Sequence, residues 1–297
     1  MTMYFRELLE FLQVEKIMKN QQNVENGKKK EWKNVRIASL SAIAVLGIIF
    51  LVASPVILTG SAAYSSNPTV TKYQDKDSWA GYGINYPGKI AGIETNITVP
   101  SVTCQSLAES NFSVGIVDLG QPGTSAGVYA GCNFWGGHDY EVYGVYWSYY
   151  YYNSGCGCYG HGYGTAYWSP SPNDLVSVQI LSTLYTKSCG NFTGYCVTIT
   201  DITSSNTVNA NVTVVGSPQI GVCGTTMETG LPQDNFGTAS FTDCKGRLFG
   251  GQWKAIGSYA SLYEFICYNS TGSYILSQPS ALKSKMDFKV KFLAAGP

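Results

Sequence analysis

The chain has 297 residues, a net charge of zero at pH 7 and only 13% charged residues. After an apolar segment near its start, it carries 11 Lys and Arg against 14 Asp and Glu, so it lacks the basic surface that nucleic-acid binding requires. The part of the chain after this apolar segment has room for one large domain. Because it has few charges, its stability should depend little on ionised carboxylates, which would suit an acidic exterior.

The apolar segment is residues 37–59, a run of 23 residues without a charge. A helix that crosses a bilayer needs about 20 apolar residues, whereas the apolar part of a cleavable signal usually has about 7–15. We therefore predict a transmembrane helix here, in preference to a buried helix of a soluble protein. The basic residues that precede it are Lys28, Lys29, Lys30, Lys33 and Arg36. By the positive-inside rule, they place the N-terminus in the cytoplasm and the C-terminal domain outside the cell membrane.

Two alternatives to a retained anchor stay open. The small residues Ala62 and Ala63 offer a signal peptidase site, and cleavage there would secrete the domain. Met18, rather than Met1, could be the true start, which would shorten the leader to a more signal-like length. We divide the chain into a basic cytoplasmic leader (1–36), a membrane helix (37–59), a polar linker (60–77) and an extracellular domain (78–297).

All the cysteines and all the glycosylation sequons follow the apolar segment, as expected of an exported domain. The sequon acceptors are Asn96, Asn111, Asn191, Asn211 and Asn269. The nine cysteines are Cys104, Cys132, Cys156, Cys158, Cys189, Cys196, Cys223, Cys244 and Cys267. Because nine is odd, at most four bridges can form within one chain. Cys156 and Cys158 are too close to bridge each other easily, so we expect them to have different partners.

From Ser78 onward the sequence predicts β-structure throughout. Short runs rich in Val, Ile, Thr and Tyr alternate with clusters of Gly, Pro, Asn and Ser, and no long helix is indicated. The clearest predicted strands are 93–99, 112–117, 175–181, 196–202, 208–215, 238–242 and 288–293. Several such strands separated by turns predict an antiparallel β-sandwich.

Aromatic residues are concentrated in residues 143–168, where Tyr and Trp account for eleven of 26 positions. Side chains of a strand alternate between its two faces, so about half of these rings must point away from the core. Rings with polar tips suit a groove for a peptide or a glycan, or an interface with another protein. We predict such a groove from Trp79, Tyr146, Trp147 and Tyr149. The alternative is a wall of the sandwich packed with aromatic residues.

Histidine-based catalysis is nearly excluded, because the chain has two histidines, His138 and His161. Cys156, Cys158 and His161 could hold a metal ion through S, S and N donors. Disulfide bonds are the better interpretation in an exported chain. The sequence contains no phosphate loop, dinucleotide fingerprint or serine-hydrolase elbow, and we therefore predict no metal and no cofactor.

Several separated segments, taken in order, resemble the glutamic peptidase family of acid endopeptidases. They are SWAGY (78–82), ITVPSVTC (97–104), VGI (114–116), PNDLVSV (172–178), CVTITD (196–201), NFGTASF (235–241) and ILSQPSAL (275–282). Together they cover about residues 78–292 of the chain. The resemblance implies a concanavalin-like β-sandwich of two curved antiparallel sheets, with a substrate groove on its concave face.

The resemblance does not extend to the catalytic pair. In that family a glutamate is the general base that activates water, and a glutamine amide helps to bind the oxyanion. Aligning residues 128–131 (VYAG) with the family's Leu-Gln-Ala/Thr-Gly places Tyr129 at the glutamine position. Aligning residues 224–228 (GTTME) with Glu-Trp-Ile-Val-Glu places Gly224 at the base position, and glycine cannot move a proton. A shifted register brings Glu228 there instead.

Two classes of function follow, and the sequence favours the first. In the first, the chain is a membrane-anchored, glycosylated cell-surface protein that binds a peptide, a glycan or a surface protein without catalysis, and that can self-associate. In the second, it is an acid endopeptidase with Glu228 as general base and Tyr129 as the replacement donor. A filament or virion surface subunit would share the features of the first class.

Overall fold

The structure is a computed structural model, and it describes residues 69–76, 79–104, 107–118, 121–135, 138–153, 158–213, 218–227 and 232–294. The predicted leader, the predicted membrane helix (37–59) and Glu228 lie outside these ranges. Within these ranges no helix is long and apolar enough to cross a membrane.

The described residues form strands almost exclusively, as the sequence predicts. They contain sixteen strands and one short 3-10 helix, Ile256–Ser258. The strands are β1 (Thr69–Lys76), β2 (Trp79–Asn85), β3 (Ile90–Thr98), β4 (Ala108–Asp118), β5 (Gln121–Trp135), β6 (His138–Asn153), β7 (Cys158–Thr165), β8 (Leu175–Ser182), β9 (Tyr195–Asp201), β10 (Asn206–Val212), β11 (Ile220–Met227), β12 (Thr238–Leu248), β13 (Lys254–Ala255), β14 (Ser261–Tyr268), β15 (Ile275–Pro279) and β16 (Phe288–Phe292).

All seven predicted strands overlap observed ones, namely β3, β4, β8, β9, β10, β12 and β16. The predicted linker needs a correction, because residues 69–76 form strand β1. This strand pairs with β14 alone, so it can keep a polar composition that gives no clear apolar signal in the sequence.

The strands join into one continuous hydrogen-bonded sheet that folds back on itself. Their order is β10-β9-β8-β3-β12-β16-β15-β14-β2-β11-β4-β5-β6-β7, with β1 added to β14 and β13 to β12. The predicted antiparallel arrangement holds for every pairing between described strands except that of β1 with β14, which is parallel.

The hydrophobic core lies between the two halves of this sheet. Strands β3, β8 and β12 of one half pack against β4, β5 and β11 of the other. Ile97 and Phe241 from the first half and Phe112 from the second belong to one buried cluster, and all three are 0% exposed. Alternate residues of each strand therefore point inward, and the domain is a β-sandwich.

Three disulfide bonds connect described residues. Cys104 pairs with Cys132, Cys189 with Cys196, and Cys223 with Cys244. The last of these joins β11 to β12, so it links the two halves of the sandwich covalently across the core. Cys267 is a buried thiol. The side chains of Cys156 and Cys158 lie outside the part that the structure describes.

Candidate functional site

The face of β2, β11, β4, β5 and β6 that points away from the core is called here the outer face. The alternation of side chains along a strand defines it. In β4, Phe112, Val114 and Ile116 belong to the core, so Asn111 and Ser113 lie on the outer face. Any groove on this half of the sandwich must be built from these outward-pointing positions.

Tyr129, the predicted replacement for the catalytic glutamine, lies on the outer face. Strand pairing sets it in one row with Gly144 of β6, Asn111 of β4, Thr226 of β11 and Trp79 of β2. Directly paired residues of antiparallel strands share a face. The structure therefore brings Tyr129 and Trp79 to the same surface, in a row that contains no carboxylate.

Gly224, at the predicted position of the base, lies in the next row, between Gly81 of β2 and Ser113 of β4. A Cβ atom placed on Gly224 would lie 2.2 Å from the carbonyl oxygen of Ala80 and 3.0 Å from the Cα of Gly81. The two backbones approach too closely for a side chain to fit between them. The fold therefore cannot accommodate a carboxylate side chain at position 224 unless β11 and β2 move apart.

The ring of Tyr129 is directed away from β11. It lies over β6, because a Cβ atom placed on Gly144 would be 2.3 Å from its Cζ and 2.4 Å from its hydroxyl oxygen. Neighbouring strands lie about 4.8 Å apart, which puts β6 three spacings, roughly 14 Å, from β11. Burial, and then the charge of Glu109, raises the pKa of Tyr129. The hydroxyl is thus a protonated donor, but it is far from any group on β11.

Glu109 is an outer-face carboxylate that the sequence analysis did not single out. It pairs with Gly131 of β5, and its Cγ lies 3.5 Å from a Cβ atom placed on that glycine. Its charge acts on both Tyr129 and Asp234, raising the pKa of each. The signal was present in the sequence, because Phe112 and Val114 fix which residues of β4 point outward.

Asp234 is a second carboxylate that the sequence analysis missed. It is 2% exposed, and its Oδ2 has no hydrogen-bond partner in the part of the chain that the structure describes. Its backbone N–H donates to the Oγ of Ser110 at 3.1 Å. Burial, and then the charge of Glu109, raises the pKa of Asp234 to about 7. Because it is buried, it cannot contact a large substrate directly, and its protonation instead affects stability.

The four residues of the predicted groove do not share one face. Trp79 and Tyr146 lie on the outer face, whereas Trp147 and Tyr149 pack against the core. Residues 146 and 147 are neighbours in β6, so they must point in opposite directions. Tyr146 is also only 3% exposed. The alternative of an aromatic wall describes Trp147 and Tyr149 better than a groove does.

Aromatic rings cover glycines on the outer face. Cβ atoms placed on Gly115 and Gly83 would lie 2.9 Å from the rings of Trp79 and Phe265, respectively. Trp79 and Phe265 also pack with Ile220 and Val222 in a small apolar cluster, and Ser113 is 0% exposed although it points away from the core. Such a surface can bind a ligand by stacking against it. None of the positions described in these two rows supplies a general base.

The predicted glycosylation sites differ in access. Asn191 and Asn211 are exposed, and Asn96 is partly exposed. Asn111 is 5% exposed and Asn269 is 4% exposed, and the amide of Asn269 donates to the hydroxyl groups of Thr271 and Ser273. A glycan is bulky and needs surface, so the first group is accessible in the folded domain and the second is not.

A cavity of about 600 Å³ lies on the flank of the sandwich, away from the predicted groove. Lys72, Glu264, Gln278 and Leu282 line it, and the Nζ of Lys72 lies 3.4 Å from a carboxylate oxygen of Glu264. None of the predicted site residues that the structure describes lines this cavity. No cluster of three or more potential metal ligands occurs among the described residues.

No protein-family model and no curated protein matches the sequence. Solved structures match it in fold. Scytalido-glutamic peptidase with a transition state analog inhibitor has a TM-score of 0.50 and 15% sequence identity, over 73% of this chain and 98% of that one. The same peptidase with a peptide-based transition state analog has a TM-score of 0.49 and 14% identity, with the same coverage.

A third structure, SCP-B of the Eqolisin family of peptidases with the tripeptide Ala-Ile-His, has a TM-score of 0.46 and 16% identity, again over 73% of this chain and 98% of that one. The match with a TM-score of 0.50 shows that the chain has the glutamic peptidase fold, as the sequence resemblance predicts. At these identities the likeness concerns the fold and not the activity.

Proposed function

We propose that this chain is an exported, membrane-anchored relative of the glutamic peptidases that binds extended peptides without hydrolysing them. The anchor is the predicted helix at residues 37–59. The ligand surface is the outer face around Tyr129 and Trp79. The peptide as ligand rests on the fold that the chain shares with scytalido-glutamic peptidase.

The close approach of backbones at Gly224 carries the proposal. A Cβ atom there would lie 2.2 Å from the carbonyl oxygen of Ala80. The backbone of β2 therefore leaves no room for a side chain at the position where the resemblance places a base. A water molecule that attacks an amide needs a positioned base, whose loss typically lowers the rate by about 10² to 10⁴. The direction of the Tyr129 ring, over β6 rather than towards β11, supports the same conclusion.

The retained features are those of a binding surface. Trp79 and Tyr129 present ring surface on one face and lie in the same row across four strands. Ring faces stack on peptide groups and on apolar side chains without any chemistry. Glu109 adds one carboxylate beside Tyr129, which gives the surface a site for a basic group of the ligand.

Binding is tested with the full-length chain in detergent micelles and a fluorescently labelled, chemically unfolded protein at acidic pH. We expect saturable binding, measured by fluorescence anisotropy. Trp79→Ala and Tyr129→Ala should each weaken it roughly tenfold, because truncating an aromatic anchor typically costs more than 1 kcal/mol. Tyr167→Ala is the matched control, since Tyr167 is 90% exposed and lies beyond the end of β7.

The proposal fails if the unfolded protein does not bind saturably. It also fails if Tyr167→Ala weakens binding as much as Tyr129→Ala does, because the interaction would then be non-specific. A melting curve of each variant shows whether the variant is folded, so that loss of the surface is distinguished from loss of the fold.

A further inference from the structure

Three of the longer described strands have a single partner and so form edges of the sheet: β1, β7 and β10. An edge strand presents a row of N–H and C=O groups that can pair with another strand. Proteins usually protect such edges with charged residues, proline, bulges or a covering loop, and a bulky glycan on an edge would obstruct pairing as well. The three edges of this domain differ in that protection.

Two of the edges are protected. β1 carries Lys72 and Asp75, and Lys72 pairs with Glu264 of β14 at 3.4 Å. β10 carries the exposed sequon acceptor Asn211, and the Sγ of Cys189, from the loop between β8 and β9, lies 3.3 Å from the carbonyl oxygen of Ala210. Another strand would meet a charge on β1, and would meet a loop and a predicted glycan on β10.

For the third edge, β7, the described part of the chain shows none of these devices. Its sequence, CYGHGYGT, contains neither proline nor a Lys, Arg, Asp or Glu residue. The longer stretch 142–173 also contains no Lys, Arg, Asp or Glu. It pairs with β6 in a regular register without a bulge. His161, Tyr163 and Thr165 are exposed, and Tyr163 is 55% exposed. A long, regular and uncharged edge of this kind is a site for pairing with another chain.

Each face of β7 is suited to a further strand. Every second residue is glycine, and rings of β6 lie over these glycines, as the close distances from placed Cβ atoms show: Tyr151 over Gly160, Tyr149 over Gly162 and Trp147 over Gly164. On the opposite face, His161 stacks on Tyr150 at 4.6 Å and Tyr163 on Tyr146 at 6.1 Å, between ring centroids. On the glycine face of β7, the missing side chains leave room for the rings of β6. On the opposite face, His161 and Tyr163 extend the stack of rings that begins on β6.

We propose that β7 pairs antiparallel with β7 of a second copy of this chain, around a two-fold axis. In the register centred on Gly162, Gly160 lies opposite Gly164 of the other copy and His161 lies opposite Tyr163 of the other copy. Glycine then faces glycine on the side where the β6 rings of each copy lie over β7. Aromatic cross-strand pairs stabilise the opposite side.

A second copy fits this edge better than a foreign peptide does, because the strand is complementary to itself. No like charges face each other in the pairing, since β7 has no acidic residue, Lys or Arg. A two-fold axis makes the interface closed, so the product is a dimer and not an open fibre. The proposal goes beyond peptide binding and does not depend on what the outer face binds.

The test is the oligomeric state of the full-length chain in density-matched detergent micelles, measured by sedimentation equilibrium. We expect a monomer–dimer equilibrium that Tyr163→Lys weakens at least about tenfold, because the change removes both cross-strand pairs of Tyr163 with His161 and adds two positive charges to a short pairing. Tyr167→Lys is the matched control: it adds the same charge to a residue that is 90% exposed and lies outside β7. We expect it to leave the dimer intact.

Hydrogen exchange gives a second readout that does not rely on a variant. Backbone amides of residues 160–164 should exchange more slowly as the protein concentration rises, because half of them gain partners in the dimer. A monomer at all concentrations would overturn the proposal. So would a dimer that Tyr163→Lys leaves unchanged, since its interface would then lie elsewhere, for example in the predicted membrane helix.

Discussion

At the scale of single residues, the buried carboxyl group of Asp234 makes the stability of the fold depend on pH. Its pKa is raised from 3.8 to about 7 by burial and then by Glu109. Between these two values the folded chain keeps a proton that the unfolded chain has released, so the free energy of unfolding falls as pH rises through this range. The stability that depends on this proton is fully present below about pH 4 and is lost above about pH 7.

Asp234→Asn should therefore flatten the pH dependence of stability. Asparagine resembles the protonated acid but cannot ionise, so the variant should keep roughly 3–4 kcal/mol that the wild type loses between acidic and neutral pH. Guanidinium unfolding at several pH values measures this. Asp139→Asn is the control, because Asp139 is exposed on β6. Equal slopes for wild type and Asp234→Asn would contradict the account.

At the scale of strands, β11 contains two glycines with opposite tolerance for a side chain. A Cβ atom on Gly224 would lie 2.2 Å from a backbone oxygen, whereas one on Gly221 would meet nothing closer than 3.4 Å. We expect Gly224→Ala to cost about 3 kcal/mol through strain in β11 and β2, and Gly221→Ala less than about 1 kcal/mol. Denaturant unfolding of both variants checks this, and similar costs would show that β11 can move away from β2.

The strands were predictable from sequence to the extent that burial alternates along them. Val176, Val178 and Ile180 are inward residues of β8 at every second position, and the sequence predicts that strand. β1 was missed because an edge strand needs little apolar surface. Which rings of β6 point away from the core could not be predicted, because strand alternation fixes opposite faces for neighbours but not which of them faces the core.

The positions of the candidate site residues were predictable in part, from the resemblance to the glutamic peptidases. The resemblance placed Tyr129 and Gly224 at the positions of the family's catalytic pair, and the structure sets both on the outer face, in adjacent rows. The direction of the Tyr129 ring depends on its packing against Gly144 of the paired strand β6, and the lack of room at Gly224 depends on the close approach of β2, which is distant in sequence. Asp234 acquires its raised pKa only in the fold, where it is buried near Glu109, so composition gave no sign of it.

At the scale of the whole molecule, the described residues have the β-sandwich fold of the glutamic peptidases, and the position that the resemblance gives to the base, Gly224, has no room for a side chain. The two halves pack around one core and are joined by the bond between Cys223 and Cys244. Cys223 directly precedes Gly224, so this crosslink holds the closed part of β11 against the rest of the core.

Hydrolysis of a denatured protein distinguishes a peptide-binding domain from an active peptidase. The full-length chain is incubated with a denatured protein between about pH 2 and pH 5, where a glutamic peptidase would act, and the fragments are counted by mass spectrometry against buffer alone. If the domain binds peptides without cleaving them, folded wild-type protein produces no fragments. Fragments that are produced by the wild type and lost in Glu228→Gln would contradict it, and would make the chain an active peptidase with a rearranged site.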